Sequence, residues 1–187
     1  MLLGKVVFIA GMIMQIIIRY PYRDRAKSGQ KERQEQLLLI LLSIGGLILP
    51  LIYIFTDWLA FADYSVPLWV IGIGIVVMII GLWLFWRSHS DLGRNWSSTL
   101  EIHDDHTLIT QGVYRHVRHP MYSASWLMMA AQVLLLSNWI AGFGGLVAFA
   151  FMYFLRVQKE EAMMLKQFGK QYQAYMEQTG RVIPKTS

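Results

Sequence analysis

The sequence predicts an all-α integral membrane protein: a helical bundle of about five transmembrane helices, capped on one side by a polar loop and a C-terminal amphipathic helix. Three observations carry this. Of the 187 residues, 55% are hydrophobic and only 16% charged, against about 25% charged in soluble domains. The apolar residues come in long blocks rather than at amphipathic spacing. All five histidines fall in one polar stretch, Arg87–Met121, which gathers the polar chemistry at one face. The length suits a single domain over residues 1–187.

The spans are expected at about 2–18, 37–55, 68–86, 122–136 and 140–155. The first carries Lys5 and Gln15 but reads as an anchor rather than a cleaved leader, because the basic charge is heavier after it than before it and no small-residue cleavage site is evident. The polar link Arg19–Gln36 reads as a solvated, lipid-facing loop. Pro50 is expected to kink the second span. Gly72-Ile73-Gly74 lies inside the third span, where helix packing is its expected role. Ser137-Asn138-Trp139 leaves the last two spans only a three-residue link, which forces an antiparallel hairpin. Each arm is short of the ~20 residues of a perpendicular span.

Charge fixes the sides. The Arg19–Gln36 link, the Arg87–Met121 loop and the tail after Leu155 together hold sixteen of the seventeen lysines and arginines. The Thr56–Pro67 loop has only Asp57 and Asp63, and the hairpin link has no charge. The positive-inside rule then places the N-terminus outside, with the histidine-rich loop and C-terminus cytoplasmic. Because the cations flank apolar segments, the net charge of +5 points to membrane lipids as partners rather than nucleic acid. No cysteine is present, so disulfides, thiolate metal sites and a thiol nucleophile are excluded.

From Lys159, Glu161, Leu165, Phe168, Tyr172 and Tyr175 mark one face of an amphipathic helix. Gly169 is its weak point and allows two short helices. Thr179-Gly180 and Pro184 end the regular structure. Arg156 and Glu160, at i and i+4, point the same way and can pair or bind a ligand together.

Several chemistries fail on the residues. No phosphate-cradling Gly-Lys-Ser/Thr loop and no nucleophile elbow exist. His103/His106 and His116/His119 form two His-x-x-His pairs beside Asp104 and Asp105. Pro120 ends or restarts any helix through His119, and no metal site is expected. What remains suits an anionic or zwitterionic small molecule. Arg118 and His119 offer donors to a carboxylate or phosphate. Tyr114 and Tyr122 offer ring faces and hydroxyls. Pro120 suits the first turn of the next helix, whose N-terminal amides point at the same place. Glu160 or Glu161 can take an amino group or ribose hydroxyls.

Gly112-Val113-Tyr114-x-x-x-Arg118-His119-Pro120-x-Tyr122, then Trp126 and Gln132, Arg156-x-x-x-Glu160-Glu161, Phe168-Gly169-x-x-Tyr172-x-x-Tyr175 and Ile183-Pro184 together resemble the isoprenylcysteine carboxyl methyltransferases. The resemblance runs from about Asp91 to Pro184, and the five-span layout is similar to that of compact prokaryotic members. It implies a pocket for S-adenosyl-L-methionine built from about residues 91–122 and 156–184. Carried over by position, the implied cofactor contacts are Glu101, His106, Thr107, Leu108, Ile109, Tyr114, His119, Pro120, Met121, Tyr122 and Glu160. Arg118 and Glu161 join them from the reading of the residues. Arg156 matches the substrate-side arginine and is the expected catalytic group, with Trp126 also on the substrate side. Ala124 departs from the glycine of many members.

The implied reaction is O-methylation of the carboxylate of a prenylated cysteine or similar lipophilic acid. The lipid part would enter sideways from the bilayer and the cofactor from the cytosol. Two other readings remain open from the residues. A phospholipid amine N-methyltransferase would need a base, which Glu160, Glu161 or a histidine can supply. A sterol-reductase-like membrane enzyme would use a nicotinamide cofactor, but such enzymes are larger.

Overall fold

The computed structural model describes residues 2–22, 33–93 and 107–185. Seven α-helices follow in order: α1 (Leu2–Arg19), α2 (Arg33–Ser43), α3 (Leu49–Phe55), α4 (Leu68–Leu92), α5 (Pro120–Leu135), α6 (Trp139–Phe168) and α7 (Lys170–Gln178). A π-helical turn, Ile44–Ile48, fuses α2 and α3 into one span, and 3-10 turns occupy Ala60–Ala62 and Gly112–Arg115. Among the described residues, β pairing amounts to two isolated bridges, Asp63 with Asn138 and Val117 with Gly180.

The bundle is built around α4, which packs on α1 and α5, while α6 packs on α5, α2 and the π turn. Phe8, Tyr53, Ile71, Met78, Phe85, Met128 and Leu135 form the buried core. The outward faces stay apolar, with Ile16, Val76, Ile79, Phe151 and Phe154 exposed. In a membrane these side chains face lipid. Trp58, Trp69 and Trp139 are exposed at one end of the bundle, where an interfacial aromatic belt belongs.

Among the described residues, four helices are long and apolar enough to cross a membrane: Leu2–Tyr22, Arg33–Phe55, Leu68–Leu92 and Trp139–Phe168. With the shorter α5 they are consistent with the expected bundle of about five. The 16-residue α5 is about 24 Å long, against a hydrocarbon core of ~30 Å. α4 runs to Leu92 and α6 continues unbroken for 30 residues, so the first part of the expected tail helix is continuous with the last of the long apolar helices. The break comes at Gly169, whose φ of +51° is a conformation that favours glycine, and α7 follows. On the expected stripe, Glu161, Tyr172 and Tyr175 are buried but Leu165 is exposed. Gly74 lies against Leu134 and Leu135, whereas Gly72 faces open space.

The irregularity in the second span is the π turn just before Pro50, and its cause is visible. In the π register Leu49 N–H bonds to Ile44 O. The next donor in that register would be Pro50, which has no N–H. The carbonyl this leaves, Gly45 O, accepts from the buried side chain of Gln132 at 3.0 Å, and the same amide donates to Ala141 O at 2.7 Å. Polar backbone in the membrane interior must be satisfied within the protein, so Gln132 ties α5, α6 and the π turn together. Gly45 packs directly on the Gly144 backbone, where a methyl group would collide with the Gly144 carbonyl oxygen.

Where the α5–α6 hairpin turns, Asn138 caps α6 by accepting from Ile140 N–H and Ala141 N–H at 3.1 and 2.9 Å, and it donates to Leu59 O and Asp63 Oδ1, both at 2.7 Å. Lys5, the one cation outside the three basic stretches, donates to Tyr53 O at 3.1 Å and sits 4.0 Å from the centroid of the Tyr53 ring. This layout fixes α5 and α6 at one end and leaves their other ends to build a site.

Gly45→Ala should lower the thermal unfolding midpoint of the detergent-solubilised protein, through overpacking of about 1–3 kcal/mol. Gly46→Ala, next to it but facing open space, should not. Equal midpoints for the two variants would contradict the close approach of α6 to the π turn.

Candidate functional site

The C-terminal end of α4 sets the floor. Asp91 pairs with Arg87 at 2.9 Å and accepts from Val113 N–H at 2.9 Å. Gly112 turns here with φ +60°, and a Cβ at that position would collide with the Asp91 carboxylate. The 3-10 turn Gly112–Arg115 is thereby held on α4, and Tyr114 is buried with its hydroxyl 3.3 Å from Ser88 O. Tyr175 of α7 donates to Tyr114 O at 2.5 Å. Burial raises the Tyr114 phenol far above its ordinary value and pushes Tyr175 up to about 12, so both act as neutral donors.

A buried carboxylate closes the site. Glu161 receives Arg118 Nε and Nη2 on Oε1 at 3.2 and 3.1 Å, and Arg181 Nη2 on Oε2 at 2.5 Å. The Glu161 and Arg118 side chains are 6% and 8% exposed. Arg118 also donates through Nη1 to Met176 O at 3.2 Å and to Thr179 O, which caps the last carbonyls of α7. The hydrogen bond to Glu161 holds the Arg181 guanidinium above its ordinary pKa. The backbones pair as well: Arg118 N–H donates to Gly180 O and His119 N–H to Arg181 O, both at 2.9 Å. Ser123 Oγ donates to Val182 O at 2.6 Å. The residues after α7 are thus strapped across the N-terminus of α5.

The strap fixes His119. Its ring is buried and stacks on Tyr122, with centroids 5.5 Å apart and planes 26° off parallel. His119 Nδ1 lies 3.8 Å from Glu160 Oε1, and Nε2 lies 3.4 Å from Glu161 Oε1. Nε2 is nonetheless a buried polar atom without a hydrogen-bond partner among the described residues. Tyr122 donates to Glu160 Oε2 at 2.7 Å. Beyond Tyr122 an aromatic wall runs down the α5/α6 seam: Tyr153 is 5.5 Å from Tyr122, and Trp126 is 5.0 Å from Phe149 and 5.6 Å from Tyr153.

The sequence-derived residues fare unequally. Tyr122, His119 and Glu160 come together, with Pro120 buried and Met121 half-buried beside them. Arg118 and Glu161 are engaged with each other and with the tail. Tyr122 N–H and Ser123 N–H bond to His119 O at 3.0 and 3.1 Å, so two of the α5 amides expected to face a ligand are used within the chain. Thr107 is exposed, and Leu108 and Ile109 are half-buried. Glu101 and His106, with His103, lie outside the described residues. His116 is exposed while His119 is buried, so that pair does not converge.

Of Arg156 and Glu160, which at i and i+4 can pair or bind a ligand together, Arg156 Nη1 pairs with Glu35 Oε1 at 3.0 Å and Glu160 accepts from Tyr122. Glu35 stands in the first turn of α2, and Lys159 Nζ donates to its neighbour Gln34 at 2.9 Å. The C-terminal part of the polar link is therefore a helical turn docked on α6, not a solvated loop. Sequence reasoning missed Arg181, Asp91 and Glu35. Gly112 was a signal for Asp91, because a left-handed turn needs an anchor. Nothing in local spacing announces Arg181 or Glu35, whose partners lie 20 and 121 residues away.

The isoprenylcysteine carboxyl methyltransferase family matches residues 72–166, just over half of the chain. A probable protein-S-isoprenylcysteine O-methyltransferase of Oryza sativa subsp. indica is 28% identical over 131 residues, covering 69% of this chain and 69% of its own length. The protein-S-isoprenylcysteine O-methyltransferase of Dictyostelium discoideum is 28% identical over 143 residues, covering 74% of this chain and 59% of its own length. Among solved structures, the eukaryotic intramembrane Ras methyltransferase of the same family aligns at TM-score 0.58 and 24% identity, over 96% of this chain and 62% of that one. At that identity the likeness speaks for the fold.

Glu161→Gln should destabilise the protein by about 3 kcal/mol, because it weakens the counter-charge to two guanidiniums, one of them buried. Thermal unfolding in detergent, with limited proteolysis after α6 as the local readout, checks this. An unchanged midpoint and an uncut tail would show that the carboxylate does not hold the strap.

Proposed function

The chain belongs to the isoprenylcysteine carboxyl methyltransferase family, and we propose that it is an integral membrane, S-adenosylmethionine-dependent methyltransferase that O-methylates the carboxylate of a prenylated cysteine or a similar lipophilic acid. The observation that carries the site is the His119–Tyr122–Glu160 cluster at the head of the aromatic seam, with a buried His119 nitrogen that has no hydrogen-bond partner among the described residues. It suits a ligand that brings both polar and cationic groups. Glu160 is the carboxylate for an ammonium or ribose hydroxyls, His119 Nε2 is the orphan polar atom, and the Tyr122 ring offers a face to positive charge. Tyr114, Pro120, Met121 and the segment Thr107–Ile109 complete the cofactor side. Arg118 and Glu161 hold that side in place. When bound, S-adenosylmethionine would supply an electrophilic methyl group on a sulfonium.

The chain's own tasks are few. A carboxylate acceptor is ionised at neutral pH, so no residue has to take a proton. It must be held and aimed, and Arg156 does this through its guanidinium. Trp126, Phe149 and Tyr153 line the apolar side, where a lipid chain reaches the seam from the bilayer and water is excluded. The family match favours this reading over amine methylation and over a reductase.

Calorimetry on the detergent-solubilised protein should show micromolar-range binding of S-adenosylmethionine that His119→Ala and Glu160→Ala each weaken by about tenfold or more, the loss of one charge-assisted contact. No binding by a folded wild type would overturn the proposal.

The same reading puts the N-terminus outside and the site in the cytosol. The cysteine-free chain allows a direct check. A membrane-impermeant maleimide added to intact cells should label Asp57→Cys and spare Lys170→Cys. The reverse pattern would invert the topology.

A further inference from the structure

The Arg156 guanidinium, to which the proposed function gives the acceptor carboxylate, already holds a carboxylate of the chain. Glu35 Oε1 lies 3.0 Å from Arg156 Nη1, and the two side chains are only 14% and 16% exposed. The partner comes from a different span, 121 residues away, and is carried by the first turn of α2. That turn is held against α6 a second time, one residue earlier, by Gln34 and Lys159. Arg156 itself follows Tyr153 by one helical turn and so stands at the cytosolic end of the Trp126–Phe149–Tyr153 wall. A lipophilic acid lying along that wall would bring its carboxylate to the group that Glu35 occupies.

We infer that Glu35 is a placeholder: its carboxylate satisfies Arg156 while the acceptor site is empty, and the substrate carboxylate displaces it. The physical reason is that an arginine this far from water is costly to leave unpaired. Glu35 lets the site stand open without that cost, and exchange of one carboxylate for another conserves the ion pair. Specificity follows. A neutral ester product cannot compete with Glu35 for the guanidinium as an ionised acid can. Glu35 therefore weakens acid binding somewhat and reclaims the guanidinium once the acceptor has become neutral. This inference rests on the proposed function and adds a residue that acts on the acceptor alone.

The test uses an N-acetylated S-prenylcysteine and its carboxamide as probes of the full-length protein in detergent, with binding read by tryptophan fluorescence and S-adenosylmethionine binding measured in parallel. Glu35→Gln should bind the acid about fivefold to tenfold more tightly, as expected when a competing charge is removed. Its affinity for the carboxamide and for S-adenosylmethionine should not change. With turnover, KM for the acid should fall. Glu35→Asp should restore wild-type behaviour in part. If Glu35→Gln instead binds the acid more weakly or no differently, while S-adenosylmethionine binding is intact, the placeholder is overturned and the proposed function stands. If the folded wild type binds neither the acid nor S-adenosylmethionine, both fall.

Discussion

One buried carboxylate organises the polar half of this protein. Glu161 sits on α6 one turn past the point where the helix leaves the apolar bundle, and it is too well buried to stand alone. A charge in that position must be surrounded by donors, and the chain brings them from both sides. Arg118 arrives from the segment before α5 and Arg181 from the strap after α7. The same arginine then caps α7, and the backbone of its neighbours pairs with the strap. Each of these contacts is modest alone. Together they set where α5 begins, which way the His119 ring faces and how the tail crosses the site.

The second constraint is a mismatch of lengths. α5 and α6 start from the same fixed corner at Asn138, but α5 is about 24 Å long and α6 about 45 Å. α5 therefore ends some 6 Å short of the far edge of a ~30 Å hydrocarbon layer. Its N-terminal residues, His119 to Tyr122, lie beside α6, which runs past them and brings Glu160 and Glu161 against the His119 ring.

The sequence told the bundle and the polar face clearly, because hydropathy and charge asymmetry are properties of long segments. Residues that stand close together in the chain, such as His119 and Tyr122, could be singled out as well. The two hairpin arms read as short of a full span, and α5 is a helix of 16 residues. Hydropathy falls at Arg156, yet α6 carries on through it to Phe168, because hydropathy follows the surroundings of a helix and not its hydrogen bonding. Helical spacing puts Arg156 and Glu160 on one side of α6, whereas only tertiary structure brings Glu35 to Arg156. Long-range ion pairs leave no periodic trace, and that also hid Arg181.

The short, polar-bearing α5 has a consequence for how the protein is made. A 16-residue segment with Gln132 in its interior is a poor candidate for independent insertion by the translocation machinery. Its amide has no partner until the π turn of the second span and the start of α6 are both in place. Insertion of α5 must then wait for α6, and the two enter the bilayer as one unit. The site at the tip of α5 is accordingly among the last parts of the protein to take shape during biogenesis, and no half-made chain can display it.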